Sequence, residues 1–279
     1  MVKINDVWDR TTEFLSEHLR LVLPIAILAI LIPTSISNSL GELRAFGPQG
    51  ARIGLGVLAL AVGLLSLWAQ LAITSLVIDG VGARRATQRL LPAIGIYALL
   101  ALAAVAAAAI AAIPLALASG PGSALATLSG GDPQRLAAAM TPAAALAAFA
   151  VILVMLILLV RLATLLGVIV AERRGAGAIR RAIQLTRGLS SKLVGVAILY
   201  VIVATVSQWA AQAVFGSVLR LIAGGEGPVT LAGVLTGAIV AAVQTAFTVL
   251  VAVFAAKLYL ACLAAEKARV APAPLSTPS

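Results

Sequence analysis

The sequence has little of what soluble proteins and most enzymes of this length carry. Only 11% of its 279 residues are charged and 4% are aromatic, and it contains one histidine and one cysteine, Cys262. Soluble domains carry about a quarter charged residues, so a soluble fold is excluded. A single cysteine excludes an intrachain disulfide, and one histidine and one cysteine make no metal-ligand set. Since no GxSxG or phosphate-binding loop motif is present either, we predict neither an enzyme nor a cofactor.

Long apolar runs dominate the chain instead. It is 62% hydrophobic, with a mean hydropathy of +1.10. A helix needs roughly 20 apolar residues to cross the hydrocarbon of a bilayer, and six segments reach this length. We therefore predict an all-α integral membrane protein that forms a single membrane domain over residues 1–270, followed by a disordered cytoplasmic tail, 271–279. The six predicted transmembrane helices cover residues 21–40, 53–78, 90–118, 143–171, 193–219 and 229–260.

The distribution of basic residues predicts the orientation. With six spans, sixteen of the twenty Lys and Arg residues fall on the side that holds both termini. The other side carries only Arg44, Arg52, Arg135 and Arg220. Cytoplasmic loops are enriched in Lys and Arg, so both termini are predicted to be cytoplasmic. The net charge of +10 lies between apolar segments and not on a soluble face, so a nucleic-acid partner is not predicted.

Amphipathic segments precede the predicted hairpins on the cytoplasmic side. In residues 6–20, one helical arc is apolar and the opposite arc carries Asp6, Asp9, Glu13 and Glu17. A second such segment is VIVAERRGAGAIRRAIQLTRGLSSKLVG, which begins at Val168 and holds six Lys and Arg residues. A shorter version of it covers residues 83–91. All three are predicted to be elbow helices, which lie in the plane of the membrane interface. Three units of an elbow helix and a transmembrane hairpin suggest an internal repeat.

This second segment also resembles one bacterial family, the glycerophosphoryl diester phosphodiesterase membrane domain proteins. The residues that fit the family pattern are Glu172, Gly175, Ala178, Ile179, Arg180, Leu185, Thr186, Gly188, Lys192, Leu193 and Gly195. The proline that often precedes the Glu in this pattern is missing, since residues 168–171 include none. The start, INDVWDRTTEFLSEHLRLVLPIAIL, is also similar to the start of such proteins. The resemblance implies a multi-pass protein of the bacterial inner membrane. Because the chain holds no acid–base or metal cluster, it implies no phosphodiesterase activity.

The basic residues of the elbow segments predict binding to lipid. A Lys or Arg near an anionic membrane surface contributes about 1 kcal/mol of attraction. The predicted contacts to anionic headgroups are Arg84, Arg85, Arg89, Arg173, Arg174, Arg180, Arg181, Arg187 and Lys192.

Arg161 is the most unusual residue, since it lies inside the apolar run VMLILLVRLATLLGVIVAE. A buried guanidinium must find hydrogen-bond partners or water. Gln70 and Thr74 lie at a matching depth on the second span, and Glu172 shares its helix face, so these four residues form a candidate buried polar site. Arg161 is interpreted either as a structural anchor or as a ligand contact. Thr205, Gln208 and Gln212, with Gln244 and Thr248, are predicted to form hydrogen bonds between helices.

Two functions remain open at this point. The first is a non-enzymatic scaffold or accessory subunit that binds anionic lipid or a membrane-protein partner. The second is a transporter or lipid-handling protein with a buried site around Arg161.

Overall fold

The computed structural model describes residues 3–40, 48–81, 84, 86–99, 146, 160, 163–172, 177–186, 190–223 and 230–270. Nearly all of these residues are helical, and none of them is in a strand. Four helices are long and apolar enough to cross a membrane: Ile4–Ser39, Ile53–Asp79, Lys192–Leu219 and Leu231–Ala268. The prediction of an all-helical membrane protein is confirmed at this level. Most of two predicted spans, 90–118 and 143–171, lies outside the described residues. The count of six spans, the elbow helices and the repeat stay predictions.

The first rod runs without a break from the polar N-terminus into the apolar span. It consists of α1 (Ile4–Ala26), a π-helical turn (Ile27–Leu31) and α2 (Ile32–Ser39). The N–H of Ile32 donates to the carbonyl of Ile27, five residues earlier. Pro33 follows directly, and its ring would collide with the carbonyl four residues before it in a regular α-helix. The π-helical turn shifts the hydrogen-bonding pattern where that collision would occur.

The remaining helices differ widely in length. α3 (Gln49–Asp79) ends at Gly80, whose φ of 71° is the left-handed conformation that glycine adopts without strain. Residues 86–99 are helical, and Trp68 of α3 donates from Nε1 to Oγ1 of Thr87 at 3.1 Å. The others are α4 (Leu165–Glu172), α5 (Gly177–Leu185), α6 (Ser190–Ala223) and α7 (Leu231–Val270).

Helix α7 organises the described part of the molecule. It packs against α1, α2, α3, α4, α5 and α6. Its 40 residues correspond to about 60 Å, roughly twice the thickness of the hydrocarbon core. A large part of α7 therefore extends beyond the hydrocarbon, and its polar C-terminal end is available to bind other helices.

Three buried clusters place the helix ends. One packs Leu71 of α3 and Ile169 of α4 against Tyr259 of α7. Another packs α1 and α3 on α7 around Val22, Ile73 and Val253. The third joins Val7, Leu193, Leu258 and Cys262. It brings the N-terminal ends of α1 and α6 to the C-terminal half of α7, so three helix ends meet on the predicted cytoplasmic side.

Candidate functional site

A group of charged side chains joins α4, α5 and α7. Arg181 of α5 forms a bidentate ion pair with Glu266 of α7, in which Nη1 lies 2.8 Å from Oε1. Its Nε donates to Oε1 of Glu172, the last residue of α4, at 3.2 Å. One guanidinium thus holds two carboxylates that lie 9 and 85 residues away in sequence. We call Glu172, Arg181 and Glu266 the charge cluster.

The position of Glu172 depends on a close contact between α4 and α7 at Gly167, five residues earlier in α4. Gly167 of α4 has no side chain, and the ring of Tyr259 packs directly on its backbone. The Tyr259 hydroxyl then donates to Oε1 of Glu172 at 3.4 Å. The small residue at position 167 therefore sets the spacing of α4 and α7 and brings the hydroxyl to the carboxylate.

All three guanidinium nitrogens of Arg181 donate hydrogen bonds within the charge cluster. Its side chain is 20% exposed and that of Glu172 is 17% exposed, whereas Glu266 is 41% exposed. Hydrogen bonding to Glu266 and Glu172 raises the pKa of Arg181, so its guanidinium stays charged. Arg181 was predicted to contact a lipid headgroup, which stays a prediction, but the structure gives it a bridging role between helices.

Other basic side chains of the same region remain accessible. Lys3, Arg84, Arg180 and Lys192 are exposed, and Arg89 is partly buried.

An open cleft of about 690 Å³ lies between the N-terminal ends of α1 and α6. Its lining consists of Lys3, Ile4, Asn5, Asp6, Lys192, Gly195 and Val196. The lining thus contains two lysines, one aspartate and apolar groups. We call it the lysine cleft.

Several predicted site residues lie outside the described residues: Arg85, Arg161, Arg173, Arg174 and Arg187. Of the predicted partners of Arg161, Gln70 is partly buried and Thr74 is fully buried on α3. Within the described ranges the Thr74 hydroxyl has no hydrogen-bond partner. The fourth member of the predicted site, Glu172, contacts Arg181 and Tyr259. Because Arg161 lies outside the described residues, the buried site around it stays a prediction.

A second polar arrangement lies within the spans. Nδ2 of Asn38 donates to Oε1 of Gln244 at 3.3 Å, and Nε2 of Gln244 donates to Oε1 of Gln208 at 3.1 Å. We call this the carboxamide chain. It links α2, α7 and α6, and the predicted interhelical hydrogen bonding of Gln208 and Gln244 is present in it. Close contact between α2 and α7 supports it, because a Cβ at Gly237 would lie 3.0 Å from Oγ of Ser39.

Phe14 of α1 contacts a cationic side chain of α7. Nζ of Lys257 lies 4.7 Å from the centre of the Phe14 ring, and His18 stacks on that ring at 4.4 Å. Such a contact stabilises an ammonium group that is partly removed from water. It fixes the N-terminal half of α1 along α7.

Three residues of these arrangements were missed in the sequence: Asn38, Tyr259 and Glu266. Glu266 carried a signal, since it is the only acidic residue after Glu226. A single acidic residue in a segment that is otherwise basic is expected to form an ion pair with a Lys or Arg residue. Asn38 and Tyr259 carried no comparable signal.

The described residues include no group of three His, Cys, Asp or Glu side chains that could hold a metal ion. Comparison with protein-family models, curated proteins and solved structures finds no match for this chain. The resemblance described above therefore stays a prediction, and function is argued from the residues alone.

Proposed function

We propose that this chain is a non-enzymatic membrane scaffold or accessory subunit that binds anionic phospholipid at its cytoplasmic end. The observation that carries the proposal is the lysine cleft. Lys3, the N-cap residue of α1, and Lys192 of α6 both line it, and both are exposed. Asp6 is the one acidic residue of the lining, so the lining carries a net positive charge.

The backbone of the lysine cleft adds to this charge. The cleft lies where α1 and α6 begin, and the first N–H groups of a helix have no partner within it. At α1 no side chain caps these groups. Helix N-termini attract phosphate through these donors and through the helix dipole.

The surroundings favour a phospholipid over a soluble phosphate. Ile4 and Val196 contribute apolar surface to the cleft, and exposed Ile198 and Leu199 continue it along α6. A headgroup phosphate between the two lysines would place its acyl chains on these residues. The charge cluster supports this arrangement, since it fixes α5 on α7 while Arg180 stays exposed beside it.

The proposal is tested with Lys3→Gln/Lys192→Gln in nanodiscs that contain phosphatidylglycerol and phosphatidylcholine. At about 1 kcal/mol per charge, the double variant should lose roughly thirtyfold in affinity for phosphatidylglycerol by native mass spectrometry. Arg20→Gln/Lys267→Gln removes the same charge from exposed positions outside the cleft and should lose much less. Equal losses in the two variants would show that only net charge matters, and the lysine cleft would be rejected.

A further inference from the structure

Helix α6 carries a polar stripe in the middle of its span. Thr205, Gln208 and Gln212 follow at intervals of three and four, so they lie on one helix face. The candidate span runs from Lys192 to Leu219 and contains no charged residue after Lys192. The stripe begins about 20 Å and ends about 30 Å from Lys192 along the helix axis. It therefore lies at the depth of the hydrocarbon.

Most of the hydrogen-bonding capacity of this stripe is not used by any residue that the structure describes. Oε1 of Gln208 accepts from Gln244, but its amide nitrogen has no partner among the described residues. The same holds, within the described ranges, for the Gln212 carboxamide and the Thr205 hydroxyl, and both side chains are exposed. In hydrocarbon each unsatisfied polar group costs several kcal/mol. A lipid tail cannot satisfy them.

The chemistry of the stripe selects its partner. A carboxamide carries both donors and an acceptor, so a glutamine can pair with another glutamine. A two-fold axis along the membrane normal brings the same patch of two subunits together, with donors opposite acceptors. A charged ligand would meet no counter-charge, because this part of α6 has none. Trp209 is 73% exposed beside the stripe and would be covered in the same contact.

We propose that this protein is a homodimer in the membrane and that the Thr205–Gln208–Gln212 stripe of α6 is its interface. The carboxamide chain prepares this interface, because Gln244, which accepts a hydrogen bond from Asn38, donates to the Gln208 side chain from inside the bundle. The Gln208 amide nitrogen and the Gln212 carboxamide then face the second copy. The lysine cleft lies at the N-terminal end of the span, about 20 Å from the stripe, so the dimer is independent of lipid binding.

The first test is site-directed crosslinking in dilute proteoliposomes. Cys262→Ser removes the native thiol, and Gln212→Cys introduces one on the stripe. A short bis-maleimide should yield a covalent dimer from Gln212→Cys. The matched control is Ala210→Cys, which is exposed at the same depth but on the opposite side of α6. Equal crosslinking at both positions, or none at position 212, would overturn the proposal.

The second test measures association without a crosslink. Single-molecule photobleaching counts subunits of the labelled full chain in liposomes across a range of dilutions. The wild-type chain should bleach in two steps, and Gln212→Leu should weaken dimerisation roughly tenfold because two symmetry-related side chains are lost. Ala210→Leu should leave it unchanged. A wild-type chain that bleaches in one step at every density, or that crosslinks only to a different protein in native membranes, would refute the second copy as partner.

Discussion

The ring of Tyr259 fills the space in which a side chain at position 167 would lie. A Cβ atom on Gly167 would be 2.6 Å from Cγ and 2.7 Å from Cβ of Tyr259. Both distances are far below van der Waals contact, and Tyr259 is 1% exposed, with the packed core around it. The contact therefore requires glycine.

Gly167→Ala should destabilise the protein by about 1–3 kcal/mol, because the added methyl forces α4 and α7 apart. Chemical unfolding in mixed micelles measures the change. Gly63→Ala is the matched control, since no atom lies within 4 Å of a Cβ at that helical position. It should be neutral or slightly stabilising. Equal stability of the two variants would contradict the close packing of Tyr259 on Gly167.

The charge cluster predicts energetic coupling between α5 and α7. Arg181→Gln and Glu266→Gln, with the double variant, form a double-mutant cycle. We expect a coupling of about 0.5–1 kcal/mol, since Glu266 is 41% exposed and solvent screens the pair. Arg181→Gln should cost more than Glu266→Gln because it also releases Glu172. Glu17→Gln, an exposed control, should cost almost nothing, and a coupling of zero between Arg181 and Glu266 would rule out the ion pair.

The carboxamide chain predicts that its central member matters most. Gln244→Leu removes a donor and an acceptor and leaves Asn38 and Gln208 without this partner. The expected loss is about 1–2 kcal/mol, since hydrogen bonds between membrane helices average about 0.6 kcal/mol each. Ser217→Ala should have little effect, because that hydroxyl bonds only within its own helix. Unfolding curves that coincide for the two variants would exclude the chain as a stabilising element.

Membrane sidedness is tested by labelling cysteines at positions 130 and 276, which both lie outside the described residues. The six-span prediction places them on opposite sides of the membrane, with position 276 cytoplasmic. A membrane-impermeant maleimide applied to intact cells should label position 130 only. Labelling of both positions from outside would end the six-span topology.

Substitution of Arg161 distinguishes the scaffold function from the transporter function. If it is structural, Arg161→Leu should fold well, since replacing a buried charge by an apolar residue leaves little unpaired. Thermal shifts of both chains with a panel of candidate anions measure ligand binding. We expect every anion that binds to stabilise the wild-type chain and Arg161→Leu equally. An anion that stabilises wild type but not Arg161→Leu would favour the transporter.

Hydropathy was sufficient to predict the helical membrane class, because a span needs only length and apolar composition. Which side chains form ion pairs across helices was harder to predict. Glu172 was singled out for the helix face that it shares with Arg161, whereas the structure pairs it with Arg181. The partner Glu266 lies 85 residues further along the chain than Arg181, and no helical periodicity connects the two. Only the packing of α5 on α7 brings them together.

The N-terminal segment shows a second limit of sequence patterns. Its amphipathic arcs predict a helix in the membrane interface, and residues 6–20 are helical within α1. The apolar arc is the one that packs: Val7, Thr11 and Phe14 are buried. An amphipathic pattern shows that one face must be covered, but lipid and a neighbouring helix cover it equally well. The contacts of Phe14 with Lys257 and of Val7 with Leu258 supply the neighbouring helix.

The π-helical turn at Ile27–Leu31 is equivalent to one extra residue inserted into an otherwise regular rod. Each residue of an α-helix advances the chain by about 100° around its axis. Deleting one residue from this turn would therefore rotate everything before it by about that angle relative to α2. Phe14 would leave Lys257, and the acidic face of α1 would turn toward α7. The inserted residue therefore sets the rotation of α1 about its axis relative to α2. With it, the residues that contact α7 face α7 both before and after Pro33.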